Sequence, residues 1–239
     1  MKKVITIILI IIFIFVVAIG ALAIKDIIEE NKLRDESETL LELTNAEEYD
    51  DNKINEVLNR TVTNGNCAKV EKALKEYVKA EYEETKKIRN ILENEKIYNV
   101  LTPENYKNDG PEFEESLKYI EDSKNTIKEA SENLIILMSE EEKLKYIEKQ
   151  KFNDSTDKDY YLNFYKELIN VDENINENDK LEMRKSTDEV ILFLDSMKEI
   201  LEFLKENKNE WNVENNELVF TSEKLSNEFN TLVDKLGEE

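Results

Sequence analysis

The chain has 239 residues and a formal net charge of −22 at pH 7, from 55 acidic and 33 basic side chains. It has no histidine and a single cysteine, which excludes an internal disulfide, a cysteine cluster for zinc and the commonest acid–base side chain at neutral pH. The strong negative charge argues against nucleic acid as a partner and favours a basic one.

The first predicted element is an uncharged apolar run from Val4 to Ile24, directly after Met1-Lys2-Lys3. A helix of this length spans the roughly 30 Å hydrocarbon core of a bilayer. We therefore predict a cytoplasmic tail at 1–3 and a transmembrane signal anchor at 4–24 that contacts the lipid bilayer. Lys2 and Lys3 favour a cytoplasmic N-terminus, which places the rest of the chain outside the cytoplasm at the cell membrane.

The end of the apolar run leaves a second interpretation open. Gly20 precedes the triplet Ala21-Leu22-Ala23, which has the A-x-A form that signal peptidase cleaves. Cleavage after Ala23 would release a secreted protein. The apolar run continues through the triplet to Ile24 and is longer than a usual signal peptide core, so a retained anchor is favoured.

Only four glycines and two prolines occur in the whole chain, so the composition predicts an all-α fold. Residues 25–51 carry a weak apolar pattern between many charges, and we predict a juxtamembrane helical stalk there. Residues 52–239 are predicted to form an acidic, antiparallel helical-bundle domain with coiled-coil-like seams.

A turn at Thr63-Asn64-Gly65-Asn66 predicts the start of a long helix over 66–100. Its inner face would carry Val70, Ala73, Leu74, Tyr77, Ala80, Ile88, Ile91 and Leu92, with a polar patch around Glu84. A loop at 102–111 is expected to follow, with Pro111 in the first turn of a helix that runs to about 138.

Ser139 and Glu142 form a predicted capping box, so the chain should restart there as a short helix over 140–151. A further helix is expected over 159–171. The clearest helix of this region is predicted over 179–207, because its apolar residues alternate in steps of four and three as in a heptad seam. The seam residues are Met183, Thr187, Val190, Leu194, Met197, Leu201 and Leu204.

The segment 211–220 changes from helical to alternating periodicity and predicts a β-hairpin around Asn215-Asn216. A two-residue turn there pairs Glu214 with Glu217, Val213 with Leu218 and Trp211 with Phe220. Trp211 would then lie on the inner face with Val213, Leu218 and Phe220. A closing helix from Glu223 to Leu236 should follow, with Ser222 as its cap.

Candidate chemical sites fail on their spacing. Asp172 to Asn178 imitates a calcium loop, but Glu177 stands where the loop needs glycine and Met183 where it needs glutamate. The acidic runs 47–51 and 140–142 are interpreted as solvated surface, and Cys67 as a small residue at a helix start. No nucleophile motif is present, so we predict no catalytic, cofactor-binding or metal-binding residue and no enzyme.

The bias toward Lys, Asn, Ile and Glu is similar to that of low-GC Gram-positive bacteria, and the chain loosely resembles their signal-anchored helical surface proteins. The favoured hypothesis is a non-enzymatic interaction module that is anchored in the membrane and binds another envelope or secreted protein. One alternative is a bundle that binds a small ligand and works with a partner receptor or transporter. The other is a secreted effector or immunity-type protein, released by cleavage after Ala23.

Overall fold

A computed structural model describes residues 28–44, 50–152, 155–169 and 177–238. This part of the chain is mostly helical and carries one small antiparallel hairpin near its C-terminus, which confirms that part of the predicted fold. The helices are α1 (Ile28–Thr44), α2 (Asp51–Asn59), α3 (Gly65–Leu92), α4 (Glu95–Asn99), α5 (Pro103–Asn108), α6 (Glu114–Leu137), α7 (Glu140–Glu148), α8 (Ser155–Leu168), α9 (Glu177–Glu206) and α10 (Glu223–Glu238), and the strands β1 (Trp211–Glu214) and β2 (Glu217–Phe220) lie between α9 and α10.

The predicted transmembrane segment 4–24 lies outside the described residues. Among the helices that the structure does describe, none combines the length and the apolar character needed to cross a bilayer.

The described residues divide into two compact units. The first unit consists of the described residues up to 86 together with those from 132 to 183, and the hairpin unit consists of residues 87–131 and 184–238. Helices α3, α6 and α9 each contribute residues to both units. Each unit has buried apolar side chains of its own.

The core of the first unit includes helix α1, which covers most of the predicted stalk. Leu33 and Leu40 of α1 are buried in the same apolar cluster as residues of α2, α3, α7 and α8. The weak apolar pattern of α1 is therefore enough to pack one face of it. The other core residues are Ile54, Val57, Leu58, Val70, Ala73, Leu74, Tyr77, Val78, Tyr82, Ile147, Phe164, Tyr165, Leu168 and Ile169.

The hairpin unit is built on the heptad stripe of α9. Every predicted seam residue from Val190 to Leu204 is buried, and Leu194, Leu201 and Leu204 have no exposed surface. Neighbouring Ile191 and Ile200 are buried as well, so the apolar stripe is wider than a two-stranded seam. Buried residues from α4, α5 and α6 in this unit include Ile97, Tyr106, Ile120 and Ile127.

The hairpin has the predicted register, with Trp211 opposite Phe220, Val213 opposite Leu218 and Glu214 opposite Glu217. Asn215 and Asn216 have φ angles of 51° and 64°, as a two-residue type I′ turn requires. Trp211, Val213, Leu218 and Phe220 share the half-buried face of the hairpin, as their spacing predicts.

Trp211 is half-buried and fastens the hairpin to the region around α5. Its indole nitrogen donates a hydrogen bond to the Leu204 carbonyl at 2.6 Å, and its ring stacks 6.0 Å from that of Phe113. Gly110 lies close to this ring, because a Cβ atom built on it would come within 2.9 Å of the Trp211 Cη2 atom. A glycine is therefore required at position 110, because a Cβ atom there would collide with the Tyr106 carbonyl oxygen and with the indole.

The helix predicted over 66–100 is wrong at its end. Helix α3 stops at Leu92, and the Asn94 side chain accepts a hydrogen bond from the Lys96 amide and starts α4. The predicted loop at 102–111 contains α5, whose first turn is fixed by Pro103 and by the Thr102 side chain as its cap.

Pro111 does not lie in a helix, which corrects the predicted start of the next one. Helix α6 begins three residues later, at Glu114. The Asp109 carboxylate accepts hydrogen bonds from the amides of Glu115 and Ser116. It thereby caps the N-terminus of α6, although Asp109 is not adjacent to that helix in sequence. At Ser139 the hydroxyl accepts from the Glu142 amide at 3.3 Å, as predicted, while the Glu142 carboxylate pairs with Lys145 instead of the Ser139 amide.

Candidate functional site

Helix α10 carries a regular apolar stripe that the rest of the described chain covers only in part. Ser222 starts the helix by accepting a hydrogen bond from the Leu225 amide. Leu225, Phe229, Leu232 and Leu236 follow at steps of four and three and would normally be buried on one face. None of the side chains from 223 to 236 is buried, and among them the apolar side chain of Val233 is exposed.

Three phenylalanine rings hold α10 in place. Phe229 lies 5.3 Å from the ring of Phe220 and 6.3 Å from that of Phe203, so α10 packs against both β2 and the last turns of α9. Such ring pairs prefer tilted or offset geometry at these distances and add to the apolar contact. These rings meet because the hairpin brings α10 back alongside α9.

An open groove of about 440 Å³ lies beside this contact, between the last turns of α9 and the middle of α10. Phe203 and Leu232 supply its apolar surface. Every lining side chain is either exposed or half-buried. The lining residues are Glu199, Glu202, Phe203, Glu206, Glu228, Thr231 and Leu232.

The rim of the groove is strongly acidic. Glu202 lies 3.9 Å from Lys198, and Glu228 lies 3.6 Å from Lys224, so two of the four carboxylates have a basic neighbour on their own helix. Glu199 and Glu206 have no ion pair within the described ranges. The negative end of the α9 helix dipole adds to the negative potential around Glu206, the last residue of that helix.

An acidic residue at a helix C-terminus is electrostatically unfavourable, so Glu206 works against the stability of α9. The groove holds carboxylates, one hydroxyl and apolar side chains. It can bind a positively charged group, and it offers no nucleophile activated by a base.

A second unusual feature is the buried carboxyl group of Glu81, in the first unit. Glu81 is 1 % exposed, and the Tyr77 hydroxyl donates a hydrogen bond to its Oε1 atom. The Glu81 Oε2 atom and the Thr85 hydroxyl one turn further along have no hydrogen-bond partner among the described residues. Burial raises the pKa of Glu81 to about 8, against the opposing effects of Tyr77 and Lys143, so the carboxyl group is mainly protonated at neutral pH.

The first unit also contains a buried ion network in which every carboxylate is satisfied. Lys75 donates to Glu36 at 2.6 Å and to Glu71 at 2.7 Å. The Arg60 guanidinium donates hydrogen bonds to the Glu36 carboxylate, with its Nη2 atom 2.6 Å from Oε2. Glu71 also accepts hydrogen bonds from the Thr63 hydroxyl and from the amides of Val62 and Thr63. This network links α1, α2 and α3 and is structural.

The residues that the sequence singled out as possible sites are dispersed. Cys67 is buried at the start of α3, and burial, followed by the nearby Glu30 and Glu29, raises the pKa of its thiol to about 11, so it is an unreactive thiol at neutral pH. Asp50 caps α2, and Asp51 accepts a hydrogen bond from the Tyr82 hydroxyl and pairs with Lys86 at 2.8 Å. Both therefore have structural roles.

The calcium-like segment 172–176 lies outside the described residues, while Glu177 and Asn178 begin α9. Within the described ranges, no group of three or more acidic or cysteine side chains is arranged to hold a metal ion.

Sequence reasoning missed both the groove and Glu81. Glu81 had a visible signal, because it lies four residues after Tyr77 and seven before Ile88, in register with the buried face of α3. The groove had no such signal, since it depends on where the hairpin returns α10. No protein-family model, curated protein or solved structure matches this chain.

Proposed function

We propose that this protein is a membrane-anchored, extracytoplasmic and non-enzymatic interaction module that binds another envelope or secreted protein. The observation that carries the proposal is the incompletely covered stripe of α10 beside the open groove. An amphipathic helix normally buries its apolar face, and here Leu225, Phe229 and Leu232 remain half-exposed. Exposed apolar surface with a polar rim is typical of a protein–protein contact site.

The apolar run 4–24 supports anchorage. Its length matches a bilayer, and Lys2 and Lys3 favour the orientation that places all later residues outside the cytoplasm. In that orientation the groove faces the envelope or the exterior, where a secreted or surface protein can reach it.

The shape of the groove favours a macromolecular partner over a small ligand. Sites for small molecules bury most of the ligand surface, typically about 70–90 % of it. The groove is lined only by exposed and half-buried side chains, among them Phe203 and Leu232, so it would leave a small molecule largely in solvent. A protein segment can cover the same surface from above and exclude the water.

The test is site-specific photo-crosslinking in intact cells of the native host. A photoreactive phenylalanine analogue replaces Thr231 in the groove or, as the matched control, exposed Glu38 on α1. We expect position 231 to trap one envelope or secreted protein repeatedly, with position 38 not trapping it. If neither position yields a defined protein adduct in the membrane fraction, the proposed function is wrong.

A further inference from the structure

We infer that the groove between α9 and α10 receives an amphipathic helical segment of the partner, with one or two apolar side chains flanked by lysine or arginine. This inference rests on the proposed function and specifies the chemistry of the partner. Three properties of the groove support it: its apolar surface, the sign of its charge and the spacing of its carboxylates.

The apolar surface is already organised to accept side chains from outside. Phe203 is held by contact with Phe220 and Phe229, so its ring is fixed in position before a partner arrives. Leu232 lies one turn beyond Glu228 on the other wall. An apolar side chain that enters between the two walls would complete the burial that α10 lacks. Amphipathic helices commonly bind in grooves of this kind through anchors spaced three or four residues apart.

The negative charge of the groove rim favours a positively charged partner. Four carboxylates surround the apolar surface, and Glu199 and Glu206 form no ion pair within the described part of the chain, since neighbouring Lys198 and Lys205 pair with other glutamates. A second copy of this chain brings a further formal charge of −22, and nucleic acid or anionic lipid is repelled in the same way. A cationic protein segment is the partner that neutralises the rim on binding.

The carboxylate spacing favours a helix as the bound form. Glu199, Glu202 and Glu206 lie at steps of three and four on α9, so they form one row along its surface. Glu199 and Glu206 are separated by about 10 Å along the helix axis, at 1.5 Å per residue. A neighbouring helix with basic residues at the same steps presents its charges at the same spacing.

The experiment measures peptide binding to the full-length chain in micelles of an uncharged detergent. The probe is a fluorescein-labelled peptide of about 18 residues with leucine on one helical face and lysine beside it, long enough to form a helix. One comparison peptide carries glutamate in place of lysine, and a second has the same composition in scrambled order. We expect the lysine–leucine helix alone to bind, with an affinity that falls as salt is added.

Paired variants decide whether the groove is the binding site. Glu199→Gln with Glu206→Gln should weaken binding by about tenfold, since two rim charge pairs together contribute about 1.4 kcal/mol. The control Glu38→Gln with Glu42→Gln removes the same charge from exposed positions of α1 and should change the affinity less than about twofold. Leu232→Ser should also weaken binding, while Leu181→Ser, at a leucine that is 64 % exposed, should not.

Equal weakening by the two glutamine pairs would mean that the peptide responds only to net charge, and the inference would be wrong. Equal binding of the scrambled peptide would reject the helical form of the partner. These failures are distinct from failure of the proposed function. Suppose that a partner still crosslinks at position 231 while its binding is unchanged by Glu199→Gln with Glu206→Gln. That result would support the interaction module and contradict the cationic helix.

Discussion

Two buried glutamates of α3 have pKa values shifted in opposite directions, and the difference lies in their hydrogen-bond donors. Burial opposes ionisation of Glu71, but donors from Lys75, Thr63 and the Val62 amide outweigh it and lower the pKa of its carboxyl group. Glu81 has one hydrogen-bond donor, the hydroxyl of Tyr77, and burial raises its pKa to about 8. Burial alone therefore does not determine the charge state of a carboxyl group in this core.

Glu81→Gln should change the pH dependence of stability. The unfolded carboxyl group has a pKa of about 4.5 and the folded one about 8, so the native state holds the proton more tightly. Its contribution to stability is complete below pH 4.5 and is lost as the pH rises toward 8. Relative to wild type, Glu81→Gln should become more stable with rising pH across this window, by at most about 1.4 kcal/mol per pH unit.

Urea unfolding at pH 5, 7 and 9 measures this difference. The control is Glu83→Gln, which removes an exposed carboxylate from the same helix. Its effect should be small at all three pH values. A constant difference between Glu81→Gln and wild type from pH 5 to pH 9 would mean that Glu81 is ionised throughout and that its burial is compensated by charge.

Glu71→Ala should destabilise the first unit by about 3–5 kcal/mol at pH 7, because it leaves Lys75 buried with one partner fewer. The lowered pKa of Glu71 predicts that the loss is complete above about pH 4.5 and shrinks as the pH falls through the folded pKa. Glu76→Ala is the control, since Glu76 pairs with Lys72 at 3.8 Å on the exposed side of the same helix. It should cost less than about 1 kcal/mol in the same unfolding measurement.

At the scale of single elements, α9 has one buried and one exposed leucine that differ by only two positions. Leu194 has no exposed surface, whereas Leu192 is 53 % exposed. Leu194→Ala should therefore cost about 2–5 kcal/mol through the cavity that it leaves. Leu192→Ala should cost less than about 0.5 kcal/mol. Chemical denaturation of both variants tests the orientation of α9, and similar losses would contradict the heptad assignment.

The hairpin turn gives a second test with a matched control. Asn216 has a φ angle of 64°, which glycine adopts freely and a β-branched residue adopts with strain. Asn216→Gly should be neutral or mildly stabilising, and Asn216→Val should cost about 1–3 kcal/mol. Asn212→Val places the same side chain in β1 on the exposed face, where valine suits the strand. If Val is tolerated equally at both positions, the turn is not type I′.

These elements also show which parts of the fold the sequence could predict. The hairpin register followed from one Asn-Asn pair between two alternating runs, because a two-residue turn permits only one pairing. The stripe of α9 followed from its heptad steps. The break after Leu92 was missed because Asn94 acts as a cap inside a pattern that remains apolar and helical on both sides.

The candidate site could not be predicted from the sequence, for a different reason. Phe203, Phe220 and Phe229 belong to three elements, and only the geometry of the hairpin brings their rings within about 6 Å of each other. Helical periodicity identified Leu225, Phe229, Leu232 and Leu236 as an apolar stripe. It could not indicate that the stripe would remain half-exposed.

At the scale of the whole molecule, the net charge and the proposed anchorage are complementary. A formal charge of −22 keeps the folded units soluble and repels anionic lipid headgroups. The proposed anchor at 4–24 would hold the protein at the membrane, while its acidic surface would be repelled by the lipid headgroups.

We predict that the full-length chain remains in the membrane fraction, with its later residues accessible to protease added outside intact cells. The reason is that the apolar run continues through Ala23 to Ile24 and offers no polar region for cleavage. Ile12→Lys with Ile14→Asp should release the protein from the membrane fraction, because each charge at the centre of a spanning helix costs about 2.5–3.5 kcal/mol on insertion scales. Mass measurement of the mature wild-type chain is the deciding observation. An N-terminus at Ile24 would show that Ala23 is a cleavage site and that the protein acts in a secreted form.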